Sequence, residues 1–167
     1  MRILISACLL GLNTRYDGLN SLHREVLRLA DKHALIPVCP EQLGGLPTPR
    51  TPCEIRGGKV IDKNSKDMTE AFQNGAEQAL AVYQLCGCSA AVLKRCSPSC
   101  GKGLVYDGSF QGNLQQGSGL FAETLLSAGV PVYGEDEVNQ IDNADSAAAS
   151  GIEIQAVSID QQKAKRK

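Results

Sequence analysis

Four short apolar runs constrain this chain most: Arg2 to Ala7, Leu35 to Val38, Ala90 to Leu93 and Val130 to Tyr133. Each reads as a buried strand. Between them lie stretches with helical spacing. Leu22 to His33 is one, with Ser21 placed to cap it. Thr69 to Leu85 is the longest, with Asp67 or Thr69 at its start and Gly87 to stop it, and Leu120 to Ala128 closes on Gly129. Strands alternating with helices predict an α/β fold with an open, mainly parallel sheet flanked by helices, Rossmann-like in plan. Two small hairpin insertions are expected, at Glu54 to Asp62 around Gly57-Gly58 and at Leu104 to Phe110 around Asp107-Gly108. Pro40 to Pro52 holds four prolines and two glycines, which argues against a regular helix and for a long functional loop. The domain is expected over residues 1–138. Residues 139–167 read as a weakly packed appendage with a short strand at Ile152 to Val157.

Seven cysteines are too many to ignore and odd in number. The apolar N-terminus is interrupted by Asn13, Thr14 and Arg15, so it reads as a strand and not a leader, and the chain as cytoplasmic. No apolar run approaches the roughly 20 residues that span a bilayer. With a net charge of −1 and no Trp, composition makes no case for nucleic acid or an anionic membrane as partner. In a reducing compartment, cysteines serve as metal ligands, reactive groups or buried apolar side chains.

Cys8, Cys39 and Cys100 share one context: each lies at or just past the C-terminal end of a predicted strand or its following turn. In an open parallel sheet, that is the crevice where ligands gather. Three thiolates there suit a soft metal or an iron–sulfur cluster, with one coordination position left open for a substrate. The competing reading is three buried small hydrophobes. Cys86 and Cys88 fit that second reading, or exposure at a helix end. Cys53 sits in the Pro-rich loop, and Cys96 neighbours Ser97 and Cys100 as a spare thiol, substitute ligand or sulfur acceptor.

Polar residues crowd the same segments. Glu41 follows Cys39 by two positions, where a carboxylate can move protons or activate water, or pair with Arg50. Ser97 and Ser99 flank Pro98 and can donate to a substrate or simply bond their own turn. Asn13, Arg15, Tyr16 and Asp17 follow Cys8 and are polar enough to line the crevice. Lys94, Arg95 and Lys102 bring positive charge towards Cys100. His23 and His33 read as surface residues, so a Ser-His-Asp triad has no support. No GxGxxG, Walker A or HExxH pattern occurs.

The stretches Ser6-Ala7-Cys8-Leu9-Leu10-Gly11, Val38-Cys39-Pro40-Glu41, Gly44-Gly45-Leu46-Pro47-Thr48-Pro49-Arg50 and Ser97-Pro98-Ser99-Cys100-Gly101, in this order, resemble the YbbK-like family, which includes the thiouracil desulfidases. The likeness runs from residue 1 to about 138. It implies an oxygen-sensitive [4Fe–4S] cluster on Cys8, Cys39 and Cys100, with one iron free for the substrate's sulfur. It further implies Glu41 and Ser97 as catalytic residues, with Asn13, Tyr16, Cys96 and Ser99 as pocket candidates. Cysteine at positions 53 and 96 departs from the family pattern. The expected reaction is non-redox desulfuration of a small thiolated compound such as 2-thiouracil to its oxo product and sulfide. Two other functions fit the cysteines: a non-catalytic iron–sulfur or zinc module for redox sensing or scaffolding, and a sulfur-transfer protein in nucleotide or tRNA thiolation.

Overall fold

The computed structural model describes residues 1–141. From the N-terminus the elements are β1 (Arg2–Ser6), α1 (Arg24–Arg28), β2 (Ala34–Val38), α2 (Pro40–Leu43), β3 (Cys53–Arg56), β4 (Lys59–Asp62), α3 (Thr69–Leu85), β5 (Ala90–Leu93), β6 (Leu104–Tyr106), β7 (Leu114–Gln116), α4 (Leu120–Ser127) and β8 (Val132–Gly134). Short 3-10 turns follow β1 at Ala7–Leu10 and α1 at Leu29–Asp31. β2, β1, β5 and β8 form a four-stranded sheet in that order, parallel throughout. The expected α/β architecture is therefore present, and the two hairpins β3–β4 and β6–β7 are the insertions.

Both faces of the sheet are covered, which is why its strands read as continuous apolar runs. Leu4, Val38, Ala91 and Leu93 pack against Ala76 and Ala79 of α3 and Phe121, Ala122 and Leu125 of α4. Ile3, Ile5, Ala90 and Val92 face the other way, onto Leu9, Val26, Leu29, Val138 and Ile141. Ile141 is fully buried, so packing continues past Val138. The expected strand at Ile152 to Val157 lies outside the described residues.

Several local expectations are corrected. α1 is one short helix, and Ser21 does not cap it. Its hydroxyl accepts instead from Arg15 Nη1 at 2.8 Å. Pro40 does not prevent a helix. It starts α2 at the first turn, where the missing N–H costs nothing. The second hairpin is wider than expected, because β7 is an exposed polar strand with no apolar run to announce it. The last sheet strand starts at Val132, two residues later than its apolar run, because Val130 and Pro131 complete the turn after α4. His33 is buried between α1 and β2, its Nδ1 3.3 Å from the Met1 amine, and His23 is half-buried at the start of α1. Asp67 does work at the start of α3, where its carboxylate accepts from the Thr69 amide at 3.0 Å.

α2 and α3 touch backbone to backbone. A Cβ on Gly44 would lie 2.1 Å from the Ala71 carbonyl oxygen, and one on Gly75 would lie 2.0 Å from that of Pro40. Only glycine fits these two places, and the contact fixes the turn that carries Cys39 and Glu41.

Candidate active site

The chain leaves β1 for β2 on one side and crosses back to β5 on the other, so the strand order reverses beside β1. In such sheets this reversal opens a crevice at the carboxyl ends. Cys8 sits there in the 3-10 turn after β1, closed by Gly11 in the left-handed conformation at φ 89°. Cys39 is the residue before α2, and its thiol donates to the Thr14 carbonyl at 3.7 Å. Cys100 lies in the turn after β5, where the Ser97 hydroxyl oxygen accepts from the amides of Ser99 and Cys100, both at 3.1 Å.

All three cysteines line one cavity of about 550 Å³. Burial pushes the Cys8 thiol up to about 11, and the charge of Cys39 adds to the effect. Burial also pushes Cys100 up. The Ser6 hydroxyl opposes this, while the charges of Cys8, Cys39 and Glu41 reinforce it. Cys8 and Cys100 are thus held as protonated thiols until a cation offsets their charge. Among the described residues, no three His, Cys, Asp or Glu side chains are set around a single metal ion. Three soft thiols lining one cavity are a donor set of the kind that takes an iron–sulfur cluster.

Glu41 lines the cavity but is not alone. Its Oε2 accepts from Arg50 Nε at 2.7 Å, and both side chains are largely buried. Arg50 also donates to Thr48 Oγ1 at 3.0 Å and to the carbonyls of Pro47 at 3.2 Å and Thr14 at 2.9 Å. Burial raises the Glu41 carboxyl above its ordinary value, and the charge and hydrogen bond of Arg50 pull it back.

Tyr16, Cys96 and Ser97 line the cavity, as do Arg15 and Cys53. Asn13 does not: it is exposed, and its side-chain oxygen accepts from Asn20 Nδ2 at 2.8 Å. Ser99 does not either, being buried behind the Cys100 turn with its hydroxyl unpaired. Asp17 is taken up by Arg15, at 2.7 Å. Cys53 is pushed up to about 12 by burial and then by Glu41 and Asp62. Cys86 and Cys88 lie at the other end of the sheet, where Arg2 Nη1 donates to the Cys86 carbonyl at 3.2 Å.

The positive charge expected around Cys100 is largely neutralised. Lys94 Nζ pairs with Glu135 Oε1, whose other oxygen accepts from the Arg95 amide at 2.7 Å. Arg95 pairs with Asp136 at 2.6 Å and Lys102 with Glu137 at 2.8 Å. The acidic run after β8 was the signal for this clamp, but nothing local says which cations it meets. Glu54 and Tyr106 also line the cavity and were not singled out from sequence.

A doubly covered parallel sheet with three thiols converging at its switch point defines a cluster-binding α/β protein with a substrate-sized cavity. The comparisons agree. A model of the 2-thiouracil desulfurase family matches residues 3–137, and the chain belongs to that family. It is 40% identical over 149 residues to the uncharacterized protein YbbK of Bacillus subtilis (strain 168), covering 83% of this chain and 99% of that protein. It also resembles a solved structure, the [4Fe-4S]-dependent thiouracil desulfidase TudS, with a TM-score of 0.81 and 38% identity over 87% of this chain and 98% of that one.

Proposed function

We propose that this protein is a desulfidase that converts a small thiolated heterocycle such as 2-thiouracil to its oxo product, consuming water and releasing sulfide. The observation that carries the reading is the convergence of Cys8, Cys39 and Cys100 on one cavity from the ends of three adjacent strands. These cysteines would hold a [4Fe–4S] cluster. When bound, that cluster supplies a Lewis-acidic iron that polarises a carbon–sulfur bond without net electron transfer.

The chain's own residues supply the rest. Arg50 fixes the Glu41 carboxylate at the cavity wall, where it takes up and returns the protons of the attacking water and the ring. The Ser97 hydroxyl oxygen already accepts two amides, so its own hydrogen is available to orient the heterocycle. Lys94, although paired with Glu135, still lies near enough to Cys8 to oppose in part the effect of burial on its thiol. All seven cysteines are free, which suits the reducing cytoplasm. No described helix is long and apolar enough to cross a membrane.

The test is anaerobic reconstitution with iron and sulfide, then incubation with 2-thiouracil. Uracil and sulfide should appear in equal amounts with no added reductant. Loaded protein that turns over neither 2-thiouracil nor any other thiolated nucleobase would overturn the reading.

A further inference from the structure

The four-stranded sheet supplies only part of the cavity wall. The rest includes Tyr106 and Gly112, from β6 and the turn after it. This hairpin is anchored on two sides. Val105 bridges to Cys96 on one side; on the other, Gln115 Nε2 donates to the Ile55 carbonyl at 2.8 Å and the Glu54 carboxylate of β3 reaches the turn, which Asp107 also braces from within by accepting from the Ser109 amide at 2.9 Å. Glu54 Oε2 accepts from the amides of both Gly108, at 3.0 Å, and Phe110, at 2.9 Å. Glu54 is only 9% exposed.

The turn needs such a clamp. Phe110 adopts φ 58°, a left-handed conformation that non-glycine residues seldom hold unless their surroundings impose it. Gly108 has φ 85°, and a Cβ there would lie 2.4 Å from the Arg56 Cβ. A buried carboxylate satisfied by two backbone amides, both on one oxygen, is a geometry that over-determines a turn.

Resting on the desulfidase reading, we propose that Glu54 is a positioning residue for the substrate side of the cavity. It sets the 107–113 turn so that Tyr106 and Gly112 form the wall against which the flat thiolated ring lies. Tyr106 is 37% exposed, which leaves its ring available for stacking. Glu54 touches no reacting atom in this scheme. Its effect is on how well the ring is held.

Three variants test this on the reconstituted protein: Glu54→Ala, Glu54→Gln and Tyr106→Ala. The readouts are amide exchange at Gly108 and Phe110, Kd for 2-thiouracil and for uracil by calorimetry, KM against kcat, and iron content. Glu54→Gln keeps an oxygen that can accept both amides, so exchange and Kd should stay within about twofold of the unmodified protein. Glu54→Ala should speed exchange in the turn and raise Kd and KM about tenfold or more, with kcat and iron content changed less than about twofold. Tyr106→Ala should raise Kd similarly with exchange at Gly108 unchanged, and it decides the matter if Glu54→Ala does not fold. Faster exchange with unchanged Kd, a loss of iron in place of affinity, or unchanged Kd in Tyr106→Ala would each overturn the proposal. Binding of 2-thiouracil by the unmodified protein, without turnover of it or of any other thiolated nucleobase, would sink the desulfidase reading alone. No binding at all would sink both.

Discussion

Arg50 Nε donates to Glu41 Oε2 at 2.7 Å, with the two side chains only 7% and 14% exposed. From sequence, this pairing was the alternative to a catalytic glutamate. The structure makes the two compatible: the partner that neutralises Glu41 also points it, and the same guanidinium reaches the Thr14 carbonyl that receives the Cys39 thiol.

Glu41→Gln should therefore show two separate losses. Leaving Arg50 buried without its counter-charge should destabilise the fold towards the lower part of the range for a broken buried pair, about 3–5 kcal/mol, since the amide oxygen still accepts. Turnover at equal cluster occupancy should fall by about 10²–10⁴-fold. Urea unfolding and anaerobic turnover read the two losses independently. Turnover near that of the unmodified protein would remove Glu41 from the chemistry and leave it a structural partner of Arg50.

Replacing Cys8, Cys39 or Cys100 with Ser, one at a time, should abolish most of the cluster absorbance and the bound iron. Replacing Cys86 and Cys88 together should leave both unchanged, because they lie at the opposite end of the sheet. Loss of iron from the double variant would mean that the ligand set is misassigned.

Gly75→Ala adds one methyl group where none fits, 2.0 Å from the Pro40 carbonyl oxygen. Overpacking of this kind costs typically about 1–3 kcal/mol. The backbone that must yield carries Cys39, so iron content should drop in protein that remains folded by circular dichroism. Full iron loading in folded Gly75→Ala would show that the Cys39 turn has slack.

Asp67 gives a pH signature away from the site. The hydroxyl and amide of Thr69, followed by Lys59, hold its carboxyl at about 2 against an ordinary 3.8. A depressed folded value means stability that is present above the ordinary carboxylate range and lost as pH falls through that interval towards 2. Asp67→Asn should flatten the stability curve between those limits, as read by chemical denaturation across the acid range. An unaltered acid limb would assign the loss to other carboxylates.

The strands of the sheet were legible in the sequence because burial on both faces leaves an unbroken apolar run. The cysteines were legible because those runs end on or near them. Strand β7 was not, since Leu114-Gln115-Gln116 carries no pattern and is held by pairing to β6. Helix α2 was hidden by its proline, which reads as a breaker unless it falls in the first turn. The site was legible only where chemistry stays close in the chain, as at Cys39 and Glu41. The pairing of Glu41 with Arg50 was likewise open to the sequence as an alternative, because the two share one loop, whereas Glu135 on Lys94 and Glu54 on the Gly108 turn are pairings made by the tertiary fold, and no local spacing encodes them.

The thiols hang from β2, β1 and β5, three neighbours in the sheet and far apart in the chain. A nascent chain offers two of them early and the third only after the long α3 has been made and β5 has docked beside β1. The proposed ligand set is therefore complete only once β5 lies beside β1, and at this site cluster loading and closure of the sheet are expected to be coupled.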